Sequence, residues 1–176
     1  KASDERHVLL SYYGRLNYSF NSRYMLTTTV RRDATSRFAK NVRWGTFPSV
    51  ALGWRVTEES FLKDNKVIST LKVRASYGVT GQQDGIGNYN YLPIYTISQS
   101  GAGSLIGGTP TPTYRPKAYV PNLKWETTTS WNVGFDFGFL KDRITGSFDY
   151  YTRQTKDLIA TVPAAAGTTF DRNITT

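Results

Sequence analysis

From Leu123 to Phe139 the chain alternates with a period of two. Leu123, Trp125, Thr127, Thr129, Trp131, Val133, Phe135, Phe137 and Phe139 fall on one side, and Lys124, Glu126, Thr128, Ser130, Asn132, Gly134, Asp136 and Gly138 on the other. Successive side chains of a strand point to opposite faces, so the segment reads as one long strand with an apolar and a polar face. A one-residue slip would carry charges onto the apolar side, which makes the register strongly specified. The short connection Leu140-Lys141-Asp142 leads to a partner with Ile144, Gly146, Phe148 and Tyr150 on one face and Thr145, Ser147, Asp149, Tyr151 and Arg153 on the other. Together they predict an antiparallel hairpin.

An earlier hairpin repeats the design. Val8, Leu10, Tyr12, Gly14, Leu16, Tyr18 and Phe20 alternate with Tyr13, Arg15, Asn17 and Ser19, Asn21-Ser22-Arg23 turns, and Tyr24, Leu26, Thr28 and Val30 form the return face. Two more strands are expected over Trp44–Val56 and Leu71–Thr80, for about six in all. Several exceed the ~5–6 residues usual in soluble sheets and reach the ~9–11 needed to cross a bilayer at a tilt. Pro48 interrupts the third strand, where it cannot donate to a ladder, and a bulge there would reconcile it.

The connections fall into two classes. At one end are Asn21–Arg23, Leu140–Asp142 and Thr57–Ser69, the last with a helical turn expected over Glu58–Leu62; at the other are Ala34–Arg43, Gly81–Asn122 and everything after about Lys156. Short turns at one end and long loops at the other are the habit of outer-membrane barrels. Aromatic residues, 14% of the chain, cluster near both strand ends. Tyr18, Phe20, Tyr24, Trp54, Phe137 and Phe139 lie beside the short turns, and Trp44, Tyr77 and Trp125 toward the long loops. Two such belts are expected where headgroups meet hydrocarbon.

Other classes are set aside by composition. No stretch approaches the ~20 apolar residues of a membrane-spanning helix, whereas barrel strands need apolar residues only at alternate positions. There is no cysteine, and His7 is the single histidine, so thiolate metal sites are impossible and a histidine-based active site has little to work with. No cofactor or metal is implied. The net charge of +9 is scattered, which argues against nucleic acid. Gly85-Ile-Gly87 and Gly101-Ala-Gly103 lack the strand-to-helix context of a dinucleotide fingerprint. Glu58-Glu59 reads as a solvated turn rather than an acid–base pair.

The Gly81–Asn122 loop holds seven glycines and five of the seven prolines, and a loop of this length is usually functional or disordered. Gln82, Gln83, Asp84, Tyr89, Tyr91 and Tyr95 combine hydrogen-bonding groups with aromatic platforms and are the candidate substrate-binding residues, against the alternative that the loop packs on its neighbours. Arg31, Arg32, Arg37, Lys40 and Arg43 are candidates for lipopolysaccharide phosphates, or else form a solvated basic rim. Inward charges such as Arg15, Lys72, Arg74, Lys124, Glu126, Asp136, Asp149 and Arg153 read first as paired or solvated wall residues.

Six strands leave two open edges, which lipid does not tolerate, so further strands are expected from elsewhere, and both chain ends read as cut. Tyr13-Gly-Arg-Leu-Asn-Tyr18, Arg31-Arg-Asp-Ala-Thr-Ser-Arg-Phe38, Trp44-Gly-Thr-Phe-Pro-Ser-Val50, Gly53-Trp-Arg-Val-Thr-Glu-Glu59, Leu71-Lys-Val-Arg-Ala-Ser-Tyr-Gly-Val-Thr-Gly-Gln82, Asn122-Leu-Lys-Trp-Glu126 and Phe137-Gly-Phe-Leu-Lys-Asp-Arg-Ile-Thr-Gly-Ser-Phe-Asp-Tyr-Tyr151 resemble segments of the SusC/RagA family of TonB-dependent transporters, in the family's order. The family commonly has Gly at Ala34 and Asn at Gln82. The resemblance implies an all-β, antiparallel chain that is part of a barrel of about 22 strands with a plugged lumen. It further implies a bacterial outer-membrane location in the Bacteroidota, energy from the TonB complex through a plug, a SusD-like surface lipoprotein as lid, contact with outer-membrane lipid and lipopolysaccharide, and an oligosaccharide or peptide substrate. On this reading residues 1–176 are one partial barrel domain and no enzyme. A soluble carbohydrate-binding β-sandwich is the main rival, marked by shorter strands and no belts. A barrel protease or lipase would want a triad or carboxylate cluster at its rim.

Overall fold

The computed structural model describes residues 5–63, 65–97, 103–117, 119–163 and 172–175. Twelve strands follow in order among them: β1 (Leu9–Phe20), β2 (Tyr24–Thr35), β3 (Trp44–Arg55), β4 (Ile68–Gln82), β5 (Tyr95–Ile97), β6 (Gly103–Ile106), β7 (Thr109–Pro112), β8 (Tyr114–Pro116), β9 (Glu126–Phe139), β10 (Ile144–Lys156), β11 (Ala160–Pro163) and β12 (Arg172–Thr175). The six long ones make one antiparallel sheet in the order β1-β2-β3-β4-β9-β10. A 3-10 turn at Val56–Glu58 leads into the expected helical turn, which the Leu62 and Lys63 N–H groups close on the Glu59 carbonyl at 3.0 and 2.9 Å.

The sheet has the two unlike faces that alternation demands. Leu16, Tyr18, Leu52, Trp54, Trp131, Val133, Phe135, Phe148 and Tyr150 share the apolar face and are all exposed. A soluble sandwich would cover this face with a second sheet. The buried core lies instead at the long-loop end, where Phe38, Phe47, Ile86, Leu123 and Trp125 pack together.

The turns explain why strands end where they do. Asn21 and Ser22 both have positive φ, and the Arg23 N–H donates to the Phe20 carbonyl at 3.0 Å, the geometry of a primed turn that matches hairpin twist. Leu140, Lys141 and Asp142 have φ of 53°, 61° and 59°, a strained run for residues with a Cβ. The neighbouring loop holds it: the Lys141 N–H donates to Ser69 Oγ at 2.7 Å and the Leu140 N–H to the Val67 carbonyl at 2.8 Å.

The bulge expected at Pro48 is not there. Register between β2 and β3 runs unbroken from Tyr24↔Trp54 to Ala34↔Trp44, through Val30↔Pro48. Pairing of β3 with β4 stops instead at Ser49↔Gly78, one residue short of Pro48. Proline brings no N–H with which to extend a ladder, so the missing donor falls where that seam ends. The register shift in this sheet is at Ile68/Thr70 on β4.

The segment between β4 and β9 is not structureless. β5 pairs with β8, and β6 and β7, which lie between them in the chain, pair with each other. Gly107 and Gly108, with φ of 59° and 80°, join β6 to β7 in the left-handed conformation that a two-residue turn needs. Beyond β10, β11 and β12 pair antiparallel.

Candidate functional site: the polar face and its loop-end cleft

On the polar face several charges are paired. Arg74 Nη2 donates to Asp136 at 2.9 Å and to Asp149 at 3.1 Å, tying β4, β9 and β10 together. Register places Arg74 and Asp149 on either side of Gly134. A Cβ there would overlap the Asp149 carboxylate, so only glycine lets Asp149 lean across β9 to reach the guanidinium. Arg15 donates to Thr29 at 3.2 Å, and Lys124 pairs with Asp157 at 2.9 Å. Arg74 with Asp136 and Asp149, and Lys124 with Asp157, thus brace the wall from strand to strand, in keeping with paired wall residues.

Nearer the long loops, Arg31 Nε donates to both oxygens of Asp33, at 2.9 and 2.8 Å. The i, i+2 spacing puts both on one face of β2, a signal that sequence could have supplied and did not. Asp33 is buried and Arg31 half open to solvent. Together with Gln82, Gln83, Asp84, Leu9 and Trp125 they line a cleft of about 300 Å³. Gln83 Oε1 is buried without a hydrogen-bond partner among the described residues. The backbone carbonyl of Gln83 accepts from Arg37 Nη1 at 3.3 Å, and Arg37 Nε reaches Asn88 Oδ1 at 3.4 Å, which pins the loop over the cleft. The cleft offers a guanidinium, two carboxylates and two amides against one indole. That set suits a neutral ligand rich in hydroxyl or amide groups.

Of the six candidate binding residues, the structure gathers Gln82, Gln83 and Asp84 at this cleft. Tyr89, Tyr91 and Tyr95 lie further along the loop and are not among its lining residues. Tyr89 occupies a left-handed turn closed by the Leu92 N–H at 2.9 Å, and exposed Tyr95 opens β5 opposite Pro116.

The aromatic positions separate in the same way. Phe20, Tyr24 and Trp54 stack in a row at the short-turn end, with centroids 6.5 and 6.4 Å apart, beside Tyr18; Phe137 and Phe139 contact each other at 5.6 Å. Glu59, read from sequence as solvated, is the hub of this end. It accepts from the Tyr24 hydroxyl at 2.6 Å, Trp54 Nε1 at 3.1 Å and Arg23 at 3.1 Å. At the other end Trp44 stacks on Tyr12 at 6.1 Å, while Tyr77 meets Trp131 at 4.6 Å and sits opposite Val50, nearer mid-sheet.

Trp125 corrects the expectation that it belongs to an exposed belt. It precedes β9, is buried against Phe38 and Phe47 at 5.4 Å each, and donates its indole N–H to the Arg43 carbonyl at 2.9 Å. An indole N–H needs an acceptor, and one lies under the 36–43 loop rather than on the apolar face. Alternation alone could not reveal that the chain turns inward before the strand begins.

Residues 3–176 match the family model described as TonB dependent receptor-like, beta-barrel. The chain is 52% identical over 170 residues to TonB-dependent receptor SusC of Bacteroides thetaiotaomicron, covering 97% of this chain and 17% of that protein. It is 37% identical over 164 residues to TonB-dependent receptor P39 of Formosa agariphila, covering 93% and 15%. The solved structure of the RagAB peptide importer in its closed-closed state superposes with a TM-score of 0.80 at 29% identity, over 95% of this chain and 18% of that one. The chain thus spans about a sixth of the length of the curated relatives it matches. An exposed apolar face, a braced polar face and these likenesses agree, and the chain belongs to the TonB-dependent receptor β-barrel family, as a stretch of antiparallel barrel wall in the SusC/RagA group.

Proposed function

We propose that this chain supplies part of the wall of an outer-membrane importer, with its apolar face in lipid, its long loops outside the cell and its short turns in the periplasm. The observation that carries this is the sheet itself: six antiparallel strands of 12 to 15 residues, with apolar side chains bare on one face and polar and charged ones, several of them paired, on the other. In this reading the wall is one partial barrel domain and 81–122 is an extracellular loop. Gln82, Gln83 and Asp84 take the ligand, an oligosaccharide or a peptide, with Tyr89, Tyr91 and Tyr95 guiding it from above. A SusD-like lipoprotein covers the mouth and the TonB complex delivers energy through a plug. The protein's role is transport, without catalysis.

The test uses the full-length receptor in detergent with panels of oligosaccharides and of peptides, read by calorimetry. Gln83→Ala and Asp84→Asn should each weaken the preferred ligand by about tenfold, the worth of one to two hydrogen bonds. Binding that these changes leave intact would remove the cleft from the substrate path. A native polypeptide that stays soluble without detergent would end the barrel reading.

A further inference from the structure

The five basic residues of the first long loop do not act alike, because the strand sends neighbours to opposite faces. Arg31 points inward and is neutralised by Asp33 at 2.8 Å. Arg37 is spent on Gln83 and Asn88. Arg32 alone of the two strand residues faces outward, opposite Tyr12 on β1 and Thr46 on β3. Its guanidinium carbon lies 5.0 Å over the ring of Trp44, which in turn stacks on Tyr12.

Outward positions of the six long strands, followed by register, carry charge only at Arg32 and Lys156, and both are at the long-loop end. The outward neighbours of Arg32, namely Tyr12, Thr46, Val30 and Ala34, are uncharged, so the sheet gives it no counter-ion. The level is right for a headgroup. From Tyr24, in the opposite aromatic row, β2 advances eight residues to Arg32, about 26 Å along the strand and about 20 Å along the membrane normal at a ~40° tilt. That nearly spans the ~25 Å apolar band, so a cation there sits at the far interface, where its cost falls toward zero.

We infer that Arg32, seated over the Trp44 ring with Tyr12 behind it, is a binding site for the phosphate of an outer-leaflet lipid headgroup. The inference rests on the membrane orientation proposed above. The contact with the ring holds the guanidinium in place, and a guanidinium can donate two parallel hydrogen bonds to one phosphate. Lysine offers a point charge without that fork.

The experiment is native mass spectrometry of the full-length receptor in detergent, titrated with bisphosphorylated lipid A, with the same lipid stripped of its phosphates, and with inorganic phosphate. Wild type should bind the phosphorylated lipid on the order of tenfold more tightly than the stripped one, and Arg32→Gln should abolish that preference. Arg32→Lys should retain part of it, and all variants should show the heat-modifiable gel shift of a folded barrel. An undiminished preference in Arg32→Gln, absence of any preference in wild type, or competition by inorganic phosphate as effective as the lipid would overturn the assignment. A detergent-free soluble protein would instead overturn the orientation on which it rests.

Discussion

Replacing Trp125 by Ala should unfasten the loops while leaving the barrel wall closed. Trp125 is 7% exposed, and a buried aromatic of this kind covers roughly 150–250 Å², worth about 4–6 kcal/mol at ~25 cal/mol/Å² as an upper bound. Truncations of buried Phe and Trp cost about 3–5 kcal/mol. Because the ring packs on Phe38, Phe47 and Leu123 at one end of the sheet, the loss belongs to local opening of residues 36–43 and 83–125. About 4 kcal/mol raises the open population by roughly a thousandfold. Trp125→Phe keeps most of the packing and removes the 2.9 Å bond to the Arg43 carbonyl, so it should cost only about 1 kcal/mol, or about fivefold. Hydrogen exchange of the full-length receptor, resolved by peptide, reads both changes. Equal losses in the two variants, or faster exchange in β9 and β10 with quiet loops, would refute the placement of this core.

Gly81→Ala would push a methyl into the Phe47 ring and should destabilise by about 1–3 kcal/mol, with Phe47→Leu in the same chain recovering part of the loss; urea unfolding followed by gel shift measures the coupling. Lys141→Gly relieves a left-handed residue while keeping the amide bond to Ser69, and should stabilise by about 1 kcal/mol in the same assay, whereas Ser69→Ala should destabilise. The Glu59 carboxyl is held below its ordinary range, chiefly by the Tyr24 hydroxyl and then by the Trp54 indole, with Arg23 adding and desolvation opposing. A depressed folded pKa contributes stability that is full above the ordinary carboxylate value of about 4.3 and is lost as pH falls through the folded value. Proteolytic nicking of residues 56–67 should therefore rise in acid for wild type and be nearly pH-independent for Glu59→Gln.

The strands were legible because alternation is a binary signal repeated along each of them, and because aromatic and β-branched residues fill the apolar positions. Hairpin ends were legible from Asn21 and from the break after Phe139. The nested hairpin was not, since β6 and β7 are four residues each and Pro110 and Pro112 look like strand breakers. The cleft was half legible: Gln82, Gln83 and Asp84 stand out in the loop, but Arg31 and Asp33 join them only through register across β4, β3 and β2. Glu59 was missed because nothing local distinguishes it from Glu58; its three donors come from Arg23, Tyr24 and Trp54, brought close by the turn.

The end of pairing at Ser49↔Gly78 gives the wall an uneven weave. Main-chain bonds join β3 to β4 over Ser49–Arg55, about half the run that joins β4 to β9. Toward the loops that joint is closed by the Phe47 ring lying on Gly81 in place of further main-chain pairing. β1–β3 and β4–β10 are then two panels on a short main-chain weld at the turn end, fastened at the loop end by side chains: the buried cluster around Phe38, Phe47 and Trp125, the Trp125 bond to the Arg43 carbonyl and the Arg37 bond to Gln83. In a wall of that build the loop end depends on side-chain packing where the turn end depends on the main-chain ladder.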